Sequence, residues 1–438
     1  MFQVILLCVF GACAIAGTLI FALAVGRGNS SSIGQVVIWG TLDEKIFVDT
    51  LRTLQDGNSN LLGVSYVYKD PDHLMTDFTN ALASGKGPDM ILLRQDQVIS
   101  QESRLIPITA QKMSAQEFTA TFADAASVFQ TPDGTFGIPF MIDPLVLYWN
   151  RDMVNSAGYA DAPEYWDEVQ DMAQRITQRT ETGTITKATI PFGLFRNVNN
   201  AKRILSMLVM QAGGQVTARD SEGVLQAELA PQDSAVAQAS LAALRFYTEF
   251  ADPSKPGYSW NASLPEARKA FIAGDLALYL GLASEQPYIS SANPNLNFSM
   301  ASSTQRRTAA NKLIAGDVYA FAFPRTAKNA NGALAVAYLL VAPDSAALFS
   351  RAFNVPSATR AALKQKYGTQ LDFLDTQASI VRSWTDPDPG KTDEIFRAMI
   401  EDTVSGSLLL GEAVQRADRQ IATLLDEYNQ EKNAQNIQ

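Results

Sequence analysis

The side chains able to do chemistry in this 438-residue chain are few in kind. It has one histidine, His73, in Asp70-Pro71-Asp72-His73, a helix-start context that favours a solvent-facing role over proton transfer. Both cysteines, Cys8 and Cys13, lie in an apolar N-terminal run, so the body offers no disulfide framework, thiol nucleophile or Cys-ligated metal. Borderline metals favour His and Cys ligands, so no metal site is expected. His-Glu-x-x-His, Gly-x-Ser-x-Gly and the dinucleotide glycine fingerprint do not occur, and neither a catalytic residue nor a cofactor is expected. Glycoside hydrolysis by two carboxylates stays open, because such a pair is defined by separation in space. What the chain does offer is rings beside polar groups: Trp39, Tyr148, Trp149, Trp166, Trp260, Tyr279, Tyr288 and Trp384. Flat rings stack on the apolar faces of pyranosides while Asp, Asn, Gln and Arg bind hydroxyls, yet rings are equally ordinary core material. Trp166, on a helical stretch with Val169 and Met172, reads as core.

These groups need a frame. Val36–Trp39, Val64–Tyr68 and Met90–Leu93 read as strands, while Lys45–Leu54 and the spacing of Leu74, Phe78, Ala81 and Leu82 read as helices between them. One crossover helix per strand pair predicts a parallel sheet with helices on its faces. In such sheets ligands bind beyond the carboxyl ends of the strands, which puts Gly40–Asp43 and Arg94–Asp96 at a cleft rim. Asp89, in Gly85-Lys86-Gly87-Pro88-Asp89, reads as a cap or brace of the lobe and not as a ligand contact. Position 80 is Asn and no Ser or Thr follows Lys86, so this is not a phosphate loop.

With 47% hydrophobic and 18% charged residues, the chain is too long for one ordinary core and reads as two globular lobes. A net charge of −10 without clustered Lys or Arg argues against a nucleic-acid partner. Phe2–Val25 carries no charge, and about 24 helical residues would span roughly 36 Å, enough for a bilayer core. Ala22-Leu23-Ala24 fits a signal-peptide cleavage site, whereas the long apolar stretch with no preceding Lys or Arg fits a retained anchor. Gly26–Gly34 is a flexible tether by composition.

Gly137-Ile138-Pro139, Tyr148-Trp149-Asn150-Arg151-Asp152, Ala157-Gly158-Tyr159 and Tyr165-Trp166-Asp167-Glu168 occur in an order that resembles the hinge segment of bacterial extracellular solute-binding proteins feeding ABC importers. Gln211-Ala212-Gly213-Gly214, Ala270–Ala277, Phe353-Asn354-Val355-Pro356-Ser357 and the helix Gly411–Tyr428 extend the resemblance over nearly everything after residue 35. Two departures are Leu282-Ala283-Ser284, where that family often carries Gly-x-Trp, and a single Gly in Ala315-Gly316-Asp317. The resemblance implies an α/β, two-lobed periplasmic-binding-protein fold of type II kind. Its discontinuous lobes would be joined by a multi-strand hinge and preceded by an N-terminal hydrophobic helix. Residues 1–26 would be signal or anchor and 27–35 tether, with 36–140 plus 313–352 in lobe one and 141–312 plus 353–438 in lobe two.

Together with the rim positions, the resemblance implies solute contacts from Trp39, Thr41, Asp43, Gln95, Asp96, Asp143, Tyr148, Tyr279, Ser284 and Trp384. Tyr148 and Trp149 are adjacent on a crossing strand and must point to opposite faces, one toward the cleft. The implied function is capture of a mono- or oligosaccharide by lobe closure and delivery to an ABC permease, outside the cytoplasmic membrane and either anchored or secreted. A membrane-tethered sensor on the same fold is the alternative, with the carboxylate-pair hydrolase behind it.

Overall fold

The computed structural model describes residues 33–231, 235–309 and 311–436; the expected signal or anchor and most of the tether lie outside them. Among the described residues no single helix is long and apolar enough to cross a membrane. Seven strands form the main sheet: β1 Val36–Gly40, β2 Val64–Tyr68, β3 Met90–Arg94, β4 Ile138–Asn150, β5 Leu278–Leu282, β6 Phe298–Ala301 and β7 Gly316–Ala322. Their order is β5-β4-β7-β3-β1-β2, with β6 also beside β4. β1 pairs in parallel with both β2 and β3, as two crossover helices require. The intervening helices, Glu44–Gly57 and Leu74–Ala83, turn Phe47, Leu51, Leu74 and Phe78 onto the sheet. Asp89 braces this lobe, accepting hydrogen bonds from the backbone N–H of Val37 at 3.0 Å and of Asn329 at 2.9 Å.

The architecture is two-lobed, and β4 joins the halves. All thirteen of its residues are buried, and it changes partners along its length. Ile138–Pro144 pairs with β7, whereas Leu145–Asn150 lies between β5 and β6. A strand whose two ends pair in different lobes ties them together covalently and by hydrogen bonds, while its middle can rotate without unfolding either core. Asp143–Leu145 is therefore the first crossing. The second runs beside it, with the Leu145 N–H donating to the Ala315 carbonyl at 2.9 Å. Gly316 is required here, because a Cβ would stand 2.8 Å from the Asp143 carbonyl oxygen and 3.1 Å from the Pro144 Cα.

The last crossing lies later than the Pro356 motif suggests. After Phe353 the chain stays with the β1–β3 half: Ser357 bridges to Met141, Thr359 to Phe122, and the helix Gln370–Ser379 packs on β4. Asn354 is left-handed at φ 52° and caps the helix Pro343–Phe353, so the Asn-Val-Pro segment is a helix stop followed by a turn. Val381 then pairs with Ile314, and the Arg382 N–H donates to the Ile314 carbonyl at 2.8 Å. Beyond it the helices Pro389–Ser405 and Leu410–Asn436 pack on the helices Ala201–Gln211 and Ala235–Glu249 of the other half. Three crossings thus lie side by side at Asp143–Leu145, Leu313–Gly316 and Ile380–Arg382.

Candidate functional site

The carboxyl end of β3 turns into Arg94-Gln95-Asp96 and faces the amino-terminal turn of the helix Ala201–Gln211 across a cavity of about 270 Å3. Trp384, just past the third crossing, supplies the ring on its wall. That volume lies just below the roughly 300–1,000 Å3 usual for ligand sites. Two guanidiniums dominate the interior. Arg94 donates from Nε and Nη2 to the two oxygens of Asp96, each at 2.7 Å. Arg203, reaching over from the other lobe, grips Asp317 in the same forked manner at 2.8 and 2.7 Å. Asp317 is 1% exposed and also accepts from the Gln95 amide at 3.3 Å. The Gln95 oxygen in turn accepts the Val318 N–H at 2.6 Å, so this side chain is locked onto β7.

Burial alone would push the Asp317 carboxyl up; the guanidiniums of Arg203 and Arg94 outweigh it and hold the group below the usual carboxylate range. Forked ion pairs of this kind are strong and directional. From Arg203 the polar contacts continue to the Asn200 side chain at 3.2 Å and from Asn200 to Glu285 at 3.4 Å. Lys202 is held separately, 3.0 Å from Asp386 and 2.6 Å from Asp393. Each of these three cations therefore already has a carboxylate, leaving hydrogen-bonding groups and a ring but no unpaired charge among them.

The model of the bacterial extracellular solute-binding protein family matches residues 54–370, more than half of the chain. The chain belongs to that family. No curated protein sequence matches it. Its fold is similar to that of a Thermotoga lettingae ABC-transporter solute-binding protein solved with α-D-tagatose, at 20% identity and TM-score 0.67, with 90% of this chain and 100% of that one covered. It is also similar to an Arthrobacter globiformis cyclic α-maltosyl-1,6-maltose binding protein, at 15% identity and TM-score 0.72, covering 90% and 99%. A Thermus thermophilus maltotriose binding protein is similar at 17% identity and TM-score 0.64, covering 89% and 99%. At these identities the likeness carries the two-lobed fold.

Within this solute-binding protein, the residues expected from sequence separate into three groups. Gln95, Asp96 and Trp384 meet in the cavity. Trp384 is half-buried and stacked on Phe396, with centroids 6.1 Å apart. Asp143 and Ser284 meet each other at the hinge, where the Ser284 N–H donates to the Asp143 carboxylate at 3.0 Å.

The remaining expected residues lie elsewhere. Tyr148 and Tyr279 are fully buried in a ring cluster with Phe271, their hydroxyls bonded to the Leu282 carbonyl at 2.8 Å and to Glu285 at 2.7 Å. Trp149, the other face of that strand, is also buried, so neither neighbour reaches the cavity. Both faces of β4 are covered there, which the alternation of side chains could not reveal. Asp43 caps the helix Glu44–Gly57 by accepting the Ile46 N–H at 2.9 Å. Thr41 is half-buried in the turn after β1. Trp39 lies beneath Lys69, whose Nζ is 4.0 Å from the ring centroid.

Lys202, Arg203, Asp317 and Asp386 are not among the site residues expected from sequence. A usable signal existed: Lys202-Arg203 opens a helix, where cations oppose the macrodipole and need some other reason to be there. Asp317 was marked likewise by its place in the apolar strand Gly316–Ala322.

Proposed function

We propose that this protein captures a carbohydrate-like polar solute between its lobes and delivers it to an ABC permease at the outer face of the cytoplasmic membrane, without chemical turnover. The observation that carries this reading is the interlobe cavity, where the Trp384 ring stands beside Gln95, Asp96 and Arg203 from both halves of the chain. A ring with flanking polar groups suits the alternating apolar faces and hydroxyls of a pyranoside. The structural neighbours support a sugar, since those named above were solved with, or are named for, tagatose, maltotriose and cyclic maltosyl-maltose.

The solute-contacting set proposed is Gln95, Asp96 and Trp384 with Arg94, Lys202 and Arg203; Asp143 and Ser284 set the hinge beside them. In the proposed division, lobe one takes about 36–143 and 316–380 and lobe two the segments 145–313 and 382–436, each joined at the three adjacent crossings. A solute touching both lobes shifts the open–closed equilibrium only by its differential affinity for the two states. A hydrophobic N-terminal segment as membrane anchor completes the proposal.

The test is a thermal-shift screen of the purified protein against mono- and oligosaccharides, polyols, sugar phosphates and amino acids. A solute at 100 times Kd should add about 2.7 kcal/mol to the native state. A saturable rise with one saccharide family and no consumption of it is expected. A response to amino acids alone, or turnover of a sugar, overturns the reading.

A further inference from the structure

The same two chain segments that line the cavity, 94–103 on one lobe and 382–391 on the other, also line a second groove of about 420 Å3. The groove is spanned by the end of the terminal helix Leu410–Asn436. Ala413, Val414, Ala417, Ile421 and Leu425 form the helix's buried stripe against its own lobe. Tyr428 and Lys432 carry that stripe onward at the next helical intervals, so they point the same way after the lobe beneath them has ended. There they meet the opposite lobe. Lys432 Nζ stands 2.8 Å from Glu102 and 2.6 Å from Asp133, and the Tyr428 hydroxyl bonds the second oxygen of Glu102. Asn429 anchors the same turn to its own lobe by donating to the Leu225 carbonyl at 3.1 Å. The approach is close on a second line too: at Gly223, left-handed at φ 82°, a Cβ would lie 2.9 Å from Pro132, the neighbour of Asp133.

We propose that the last turns of the terminal helix are a latch that holds the two lobes together in the absence of solute, with Tyr428 and Lys432 as the tongue and Glu102 and Asp133 as the catch. Admission of a solute to the cleft then requires these contacts to break, and their strength sets how much of the protein is open to receive one. The proposal rests on the cleft being the solute site, but it concerns the empty protein, so it can fail independently of the solute's identity.

The experiment is a distance measurement between spin labels in the full chain without added solute. Cys8→Ala and Cys13→Ala remove the native thiols, and Asp72→Cys and Ser291→Cys place one exposed label beyond strand ends of each lobe. The parent should give a short, narrow distribution. Lys432→Met and Glu102→Gln should each add a longer population, raising the open fraction roughly tenfold. Lys391→Met, which removes a groove lysine paired only within its own lobe to Asp388 and Glu427, should leave the distribution unchanged. A parent already broad, or a Lys432→Met distribution identical to the parent even with a lowered melting temperature, overturns the latch.

Discussion

Asp143 and Asp317 stand directly opposite each other on neighbouring antiparallel strands at the hinge, both buried, yet their carboxyls are held in opposite directions. Opposed residues of such a pair share a face of the sheet. Asp317 has the two guanidiniums. Asp143 has only the Ser284 N–H and hydroxyl, and burial, reinforced by the negative charges of Asp317 and Glu285, pushes it up to about 7.

A pH dependence follows from Asp143. Its unfolded value is about 3.9, so between there and about 7 the native state holds a proton that the unfolded state lacks. Stability therefore declines as pH rises through that window, by up to about 1.4 kcal/mol per unit, and levels off above it. Asp317 acts in the reverse sense, its contribution being lost as pH falls through its lowered value. Melting curves from pH 5 to 8 should show the wild type losing more stability than Asp143→Asn, which keeps an acceptor for Ser284; equal slopes would assign the dependence to other groups.

Removing Asp317 should be costly. Asp317→Ala leaves Arg203 without its forked partner inside the cleft, and breaking a buried pair in this way costs about 3–5 kcal/mol. Arg203→Lys keeps the charge but cannot reproduce both bonds, so it should lose part of that amount. Urea unfolding of the two variants gives the ranking directly.

The rings should separate by role. Once the screen has identified a solute, Trp384→Ala should weaken its binding by about 0.5–1.5 kcal/mol, roughly twofold to twelvefold, while leaving the fold intact. Tyr148→Phe should do the opposite, lowering stability by about 1 kcal/mol through the lost bond to Leu282 and leaving Kd unchanged. Calorimetric titration of both variants distinguishes a stacking residue from a core one, and an unaltered Kd in Trp384→Ala would remove that ring from the site.

At the second crossing, Gly316→Ala should destabilise by about 1–3 kcal/mol, because its Cβ meets backbone of the first crossing that no rotamer change can move. Gly158→Ala, at a left-handed turn with open space around it, tests whether conformational strain alone accounts for such a loss. A smaller effect at Gly316 than at Gly158 would show that the crossings yield to each other readily.

Much of the frame was legible because it is local. Apolar spacing in Val36–Trp39, Val64–Tyr68 and Met90–Leu93 set strand positions to within a residue or two, and the stripe from Ala413 to Leu425 marked the closing helix. The Gly-Ile-Pro and Tyr-x-Asn-x-Asp strings pointed to a crossing strand, and β4 is one. The Pro356 motif misled for a local reason as well: Asn354 and Pro356 show that a helix stops, and nothing in that string says which half of the molecule the chain then follows.

By itself, then, the sequence determined which segments are strands and helices, that the body carries no cysteine and a single histidine, His73, and that the carboxyl end of β3 belongs at a rim. Tertiary structure alone decided that Gln95 meets Asp317, that Arg203 crosses between lobes to the same carboxylate, that Lys202 meets Asp386, and that Tyr148 and Tyr279 are core. The reason is that periodicity reports which face a side chain occupies within its own element, whereas these partners lie on different elements. Their meeting depends on sheet order and on which half of a shared strand each element joins, and both are fixed only when distant segments pack.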